Sequence, residues 1–258
     1  MHKLIMRMVQ AGVLLCAAAA LAATDERAAF LAGTSKSCTG CDLAGLDLSG
    51  RVFKRAKLEG AKLARATLTG TDFFRAGLAH ADLAAAKLAG ANLNLVDAKW
   101  ADLSGADLSH ALLFEADLAG AKLTNANLQD ARLGRARLNE ADLSGARLTG
   151  ADLTGARLAG AKLTGAMLRA VKLNGQNLRG MDLRGVDFAT ADMIEADLTG
   201  ADLRGANFAG VDLTAANLHG ADLRGAHFDG AKLTDAILSE TQREGATFVD
   251  AIMPEGSQ

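Results

Sequence analysis

The stretch ADLSGADLSHALLFEADLAG, residues 101–120, places a leucine at every fifth position and an alanine two residues before each leucine. The same rhythm runs from Leu43 to Met253 without an insertion. Of the 43 places for a large residue in this range, 33 hold leucine, six phenylalanine and two methionine, and the exceptions are Ala98 and Arg243. An internal repeat of this regularity decides the fold before any other feature of the chain.

A period of five residues fits neither a straight helix nor a flat strand. On an α-helix five residues advance by about 500°, so a leucine stripe would wind around the axis, and on a strand an odd period alternates between the two faces. We therefore expect the chain to turn within every pentad. Alanine and leucine face the same side of a short extended segment, and the two residues after leucine, often Ser or Thr and then Gly, form a corner.

The spacing of like residues predicts the size of one circuit. Six phenylalanines recur at intervals of twenty residues: Phe53 and Phe73, then Phe188, Phe208, Phe228 and Phe248. Outward arginines from Arg184 onward have the same interval beside aspartates from Asp182 onward, so these two columns can pair diagonally. Because like residues stack on like in a solenoid, one circuit should hold four pentads and have four sides.

The recurring pentad Ala-(Asp or Asn)-Leu-X-Gly resembles the pentapeptide-repeat family. The resemblance is specific, since 32 of the 43 places two residues before the large one hold alanine. It implies an all-β fold, a right-handed quadrilateral parallel β-helix over residues 38–254. Four pentads to a coil divide the 43 pentads into about ten to eleven coils.

The two ends of the chain have a different composition. Residues 1–23 combine a short basic start, an apolar run and small residues at the end, which is typical of a secretory signal peptide, with an uncleaved anchor as the alternative. Residues 24–37 predict a cap that contains a short helix, begun by Thr24 and stopped by Gly33. Residues 255–258 form a tail after Pro254. We expect an exported protein, periplasmic or secreted, with no membrane span after cleavage.

Two cysteines, Cys38 and Cys41, stand just before the repeats. Alone, they suggest a redox pair, half a zinc site or haem attachment, but Asp42 stands where haem attachment needs histidine, and the chain has no second cysteine pair and no alternating βαβ pattern. If the repeat is extended toward the N-terminus, Cys38 occupies the position of a leucine in the pentad and Cys41 the position of an alanine. We expect both to face the interior, as a disulfide if the chain is exported and as buried thiols otherwise.

Several large apolar residues occupy outward places: Phe74, Leu95, Trp100, Leu112 and Phe114. With a period of twenty, Phe74 and Phe114 share a column, Leu95 and Leu112 lie beside it, and Trp100 lies one side further on. They predict a contiguous interaction patch. The alternatives are isolated exposed residues, or an inward turn of Trp100 over the neighbouring Ala98.

The charge of the chain is mildly negative. The formal net charge is −2, and loss of Lys3 and Arg7 with the signal peptide makes it −4. A nucleic-acid binder would need a basic surface, so we expect no nucleic-acid partner. The outward residue before leucine is often basic between residues 122 and 172, which indicates either a solvated face or a surface for anions or head-to-tail docking.

No group of residues in the sequence has the convergence that catalysis requires. The histidines fall on different columns, and the glycines recur as corners and form no phosphate-binding loop, so we expect no enzyme, catalytic residue, metal or cofactor. We expect an exported scaffold for an unknown protein or envelope partner, with a homodimer left open. One alternative, which the resemblance implies for some members, is protection of DNA topoisomerases by mimicry of the duplex. The other is a secreted effector or adhesion-type module.

Overall fold

The computed structural model describes residues 25–256, which form one short helix and a long coil. Helix α1 spans residues 25–31. From residue 37 onward every pentad has the same form, one bridging residue before the large apolar residue and a two-residue turn after it. The short helix expected at the N-terminus is confirmed. The predicted signal peptide, Thr24 and the last two residues of the predicted tail lie outside the described residues.

Parallel β-bridges set the size of the coil. They run from Ser37↔Lys57 to Lys232↔Ile252, and each joins two residues twenty positions apart. One circuit therefore contains four pentads, as the phenylalanine spacing predicts. We number the four sides by their first large residue: side 1 begins at Leu43, side 2 at Leu48, side 3 at Phe53 and side 4 at Leu58.

In the regular coil, each side is joined to the same side of the next coil by three backbone hydrogen bonds. On side 1, for example, Leu103 N donates to Lys122 O at 2.7 Å, Gly105 N to Thr124 O at 2.8 Å, and Lys122 N to Ala101 O at 2.9 Å. A further bond, from Ala106 N to Leu103 O at 3.0 Å, closes the turn inside the pentad. The coil thus pairs its backbone with its own next circuit, which is what allows so short an extended segment to be stable.

The interior consists of the large residues and the small residues that precede them. Nearly all are buried, and four phenylalanines stack along side 2 with ring centroids 5.1, 4.8 and 5.0 Å apart from Phe188 to Phe248. Such stacking adds to the stabilisation that burial alone provides. The stack predicted from the spacing of twenty is present.

Each corner requires a left-handed backbone conformation at the second residue after the large one. Glycine takes this conformation without a steric penalty, as at Gly60 with φ 64°, but other residues adopt it too, such as Ala85 with φ 54°. The frequent glycine at this place in the repeat is therefore explained by the corner.

The two ends of the coil are covered to different extents. At the N-terminal end Phe30 of α1 is 2% exposed and stacks on Phe53 with the ring centroids 4.7 Å apart. At the other end Phe248 and Met253 are only partly buried, and Ile252 is 57% exposed. Among residues 25–256 no helix has the length and apolar character needed to cross a membrane.

Candidate functional site

Three of the five predicted patch residues lie on adjacent coils where side 3 turns into side 4. Leu112 and Phe114 lie on side 3 on either side of a buried leucine, and Leu95 lies at the corner of the coil before them. Leu95 N donates to Phe114 O at 3.0 Å. Phe114 is 45% exposed, whereas Leu95 and Leu112 are half-buried. We call Leu95, Leu112 and Phe114 the corner cluster.

Arg135 adds a positive charge to the corner cluster. Its guanidinium lies 5.8 Å from the centroid of the Phe114 ring, and its Nη1 is 3.5 Å from Glu115 Oε1. The Phe114 ring also lies over Gly134, one coil further on, where an added Cβ would be in ordinary van der Waals contact with the ring. The aromatic ring is therefore close to both a glycine of the next coil and an arginine within cation–π distance.

Two grooves meet at Arg135. One, of about 400 Å³, is lined by Leu112, Phe114 and Arg132 among others, and lies on side 3. The second, of about 580 Å³, lies between Leu95, Glu115, Arg137 and Arg157 on the corner and side 4. The corner cluster thus offers apolar contact area within a rim that carries both basic and acidic side chains, which is an arrangement suited to a protein ligand.

A row of paired charges covers side 4 beside the cluster. Lys99 Nζ lies 3.2 Å from both Asp97 Oδ2 and Asp117 Oδ2, and Arg137 Nη1 lies 3.3 Å from the same Asp117 oxygen. Hydrogen bonds to Asp97 and then Asp117 raise the pKa of Lys99. Because these charges neutralise one another, the row forms a polar boundary to the cluster.

The other two patch residues lie apart from the cluster. Trp100 is at the corner between side 4 and side 1, is 53% exposed, and places its indole against Gly120. Its side chain does not turn inward over Ala98. Phe74 shares the column of Phe114 but lies two coils away, with Asn94 between them, and Asn94 Oδ1 accepts a hydrogen bond from Phe114 N at 2.8 Å. The predicted patch is therefore smaller than expected.

Sequence reasoning missed Arg135 and Glu115 as neighbours of the cluster. A signal was present, because Phe114 and Trp100 each have a glycine twenty positions later on the next coil, at Gly134 and Gly120. A large outward residue followed by a glycine at the stacking interval indicates a side chain that lies down on the next coil.

The two cysteines face the interior at the first coil. Cys38 is fully buried and Cys41 is 5% exposed, their sulfur atoms are in contact, and their Cα atoms are 5.2 Å apart, within the range for a disulfide. In the described part of the chain no three His, Cys, Asp or Glu side chains are grouped so that they could hold a metal ion.

The fold and this surface define a class: a four-sided parallel β-solenoid whose side chains outside the core are available for contact. The model of the family described as pentapeptide repeats matches eight stretches between residues 37 and 253, most of which overlap. The chain belongs to the pentapeptide-repeat family.

Solved structures of this family are similar to the chain. HetL from the cyanobacterium Nostoc sp. strain PCC 7120, a pentapeptide repeat protein involved in heterocyst differentiation regulation, is 31% identical over 89% of this chain and 95% of its own, with a TM-score of 0.38. QnrB1, a plasmid-mediated fluoroquinolone resistance protein, is 21% identical over 82% and 90%, with a TM-score of 0.32. Both TM-scores are below 0.5, and the fold of this chain follows from the family match and from the β-bridges at intervals of twenty residues. None of the curated proteins compared with the chain matches it significantly.

Proposed function

We propose that this protein is an exported, non-enzymatic scaffold that binds another protein of the cell envelope through the corner cluster. The observation that carries the proposal is the grouping of Leu95, Leu112 and the exposed Phe114 ring between two grooves, on a coil whose outer surface is otherwise mostly polar. From the family resemblance we infer a right-handed coil of about ten to eleven turns.

The rim of the grooves indicates the chemistry of the partner. Arg132 and Arg157 have no ion pair among residues 25–256. Arg135 and Arg137 each form an ion pair with one carboxylate, that of Glu115 and that of Asp117 respectively. A partner that places an apolar side chain against Phe114 and an acidic side chain near these arginines would be complementary in shape and charge.

Affinity capture from envelope extract tests this binding surface. Phe114→Ser should lose the captured partner, because it removes the exposed ring at the centre of the cluster. Met167→Ser is the matched control, since Met167 is also 45% exposed but lies on side 2, away from both grooves. If wild type and both variants capture the same proteins equally, the corner cluster is not the binding surface.

Export also supports a disulfide between Cys38 and Cys41, which would close the mouth of the first coil. A short loop contributes about 2 kcal/mol or less of unfolding free energy, because little chain entropy is removed. The Cys38→Ala, Cys41→Ala double variant should therefore unfold at slightly lower denaturant concentration than the oxidised wild type. Identical unfolding curves would argue against the clamp.

A homodimer through the C-terminal end of the coil is a second proposal. Val249 and Ile252 are 63% and 57% exposed on the last described coil, where the interior is only partly covered. Analytical ultracentrifugation of wild type against Ile252→Ser tests it: the dimer proposal requires a dimer that the substitution dissociates, and a monomeric wild type contradicts it.

A further inference from the structure

One pair of coils, residues 151–170 and 171–190, is joined around only part of its circumference. The series of β-bridges at intervals of twenty is continuous through the described coil except at two consecutive places. No bridge joins Arg157 to Asn177 on side 4, and none joins Lys162 to Asp182 on side 1.

The backbone hydrogen bonds are missing on the same two sides. Leu138 N and Leu143 N, one coil earlier, donate to the next coil at 2.8 Å, but no described carbonyl accepts from Leu158 N or Leu163 N. The turns inside these pentads persist, since Ala161 N still donates to Leu158 O at 2.9 Å. The coils are therefore intact individually and separated from each other.

Sides 2 and 3 of the same two coils remain joined, each by two of the three regular bonds. On side 2 Leu168 N donates to Asp187 O at 2.8 Å, and on side 3 Leu153 N donates to Lys172 O at 3.1 Å. The two coils are thus separated on sides 4 and 1 and remain in contact on sides 2 and 3. On side 4 it forms a cleft of about 500 Å³ lined by Leu158, Gln176 and Met181 among others.

The sequence of the second coil explains the opening. All four of its small places hold larger residues, Val171, Gln176, Met181 and Val186. The two longest, Gln176 and Met181, are 4% and 8% exposed and lie on the two open sides. Excess volume in a packed layer forces the neighbouring layer away.

Gln176 also takes over a backbone partner. Its Nε2 donates to Ala156 O at 2.6 Å. In the regular coil that carbonyl would accept from the backbone N–H of Asn177, as Ala136 O accepts from Arg157 N at 2.9 Å one coil earlier. The side chain of Gln176 is thus inserted into the ladder and satisfies a buried acceptor that the separation would otherwise leave without a partner.

We propose that residues 155–165 and 175–185 form a joint at which the rod bends, with sides 2 and 3 as the hinge and Gln176 and Met181 as the wedge. The coils before and after it, fully bonded on all four sides, move as two stiff segments. Arg157 lines both the cleft of the joint and the larger groove at the corner cluster. Only the use of bending, to adjust this groove to a partner, rests on the proposed function.

Residue-resolved amide hydrogen exchange of the protein tests the joint without any partner. The amides of Leu158 and Leu163 should exchange about 100-fold faster than those of Leu138 and Leu143, because only the latter pair is bonded to the next coil. In the Gln176→Ala, Met181→Ala variant, which restores the usual alanine, exchange at Leu158 and Leu163 should slow toward the rate at Leu138.

The matched control truncates the other two large residues of the same coil. Val171→Ala, Val186→Ala removes volume on the closed sides and should leave the exchange at Leu158 fast. Small-angle scattering should fit the wild type only with a mixture of bent shapes, and the Gln176→Ala, Met181→Ala variant with one straight rod. Equal protection of Leu158 and Leu138 in the wild type, or scattering that fits the same single rod for both proteins, would overturn the joint.

Discussion

The phenylalanine stack on side 2 gives a quantitative test of the interior. Phe188 and Phe208 are both fully buried, but Phe208 has a ring on each side, at 5.1 and 4.8 Å, whereas Phe188 has only Phe208 as a ring neighbour. An aromatic pair contributes about 0.5–1.5 kcal/mol beyond burial. Phe208→Leu should therefore lose about 1–3 kcal/mol of stacking and Phe188→Leu about half as much.

The comparison cancels the effects that the two substitutions share. Both replace phenylalanine with leucine, the residue most common at this place in the repeat, so the lost volume and burial are similar. Guanidinium unfolding followed by far-UV circular dichroism measures the difference, provided that the slope of the transition is unchanged. Equal destabilisation by the two substitutions would refute the account of the stack as a source of stability.

Two further predictions concern the corners and the outer charges. Gly60 has open space around it and φ 64°, so Gly60→Ala should lower the free energy of unfolding by about 1 kcal/mol from backbone conformation alone. Gly120→Ala should lower it more and shift the fluorescence emission of Trp100, because the indole occupies the space of the new side chain. Equal losses of stability and identical spectra would contradict the packing. Hydrogen bonds from Arg204 lower the pKa of Asp202 from its ordinary value of 3.8. The ionised Asp202 therefore stabilises the fold fully above pH 3.8, and this stabilisation is lost as the pH falls through the lowered pKa. Asp202→Asn should flatten the fall in melting temperature below about pH 4, and an unchanged acid profile would argue against this contribution.

Much of the architecture could be predicted from the sequence because the repeat leaves few alternatives. A period of five forces a turn in every pentad, and the spacing of like residues reveals the length of the circuit. The same extrapolation placed Cys38 and Cys41 in the interior, where the structure has them. The diagonal pairing of the outer columns is also present, since Arg184 pairs with Asp182 at 2.6 Å and with Asp202 at 3.6 Å.

The surface was less predictable because it depends on side-chain direction. The interval of twenty places Trp100 and Phe74 near the corner cluster. In the structure, however, the row of charges on side 4 separates Trp100 from the cluster, and Asn94 separates Phe74 from it. The interrupted ladder had a visible signal, a whole circuit without alanine at its small places, but whether extra volume is absorbed or forces coils apart depends on how the layer packs. Val171 and Val186 lie on joined sides, while Gln176 and Met181 lie on open ones.

The cellular compartment in which the protein is found distinguishes most directly between an exported scaffold and the other functions. Fractionation of cells that produce the full chain, followed by intact mass measurement, reports cleavage, thiol state and compartment together. The proposal predicts an envelope fraction in which the chain begins near residue 23 or 24 and Cys38 and Cys41 are oxidised. Recovery of the uncleaved chain with free thiols from the cytoplasm would contradict export and favour topoisomerase protection, and recovery from the medium would favour a secreted effector or adhesion-type module.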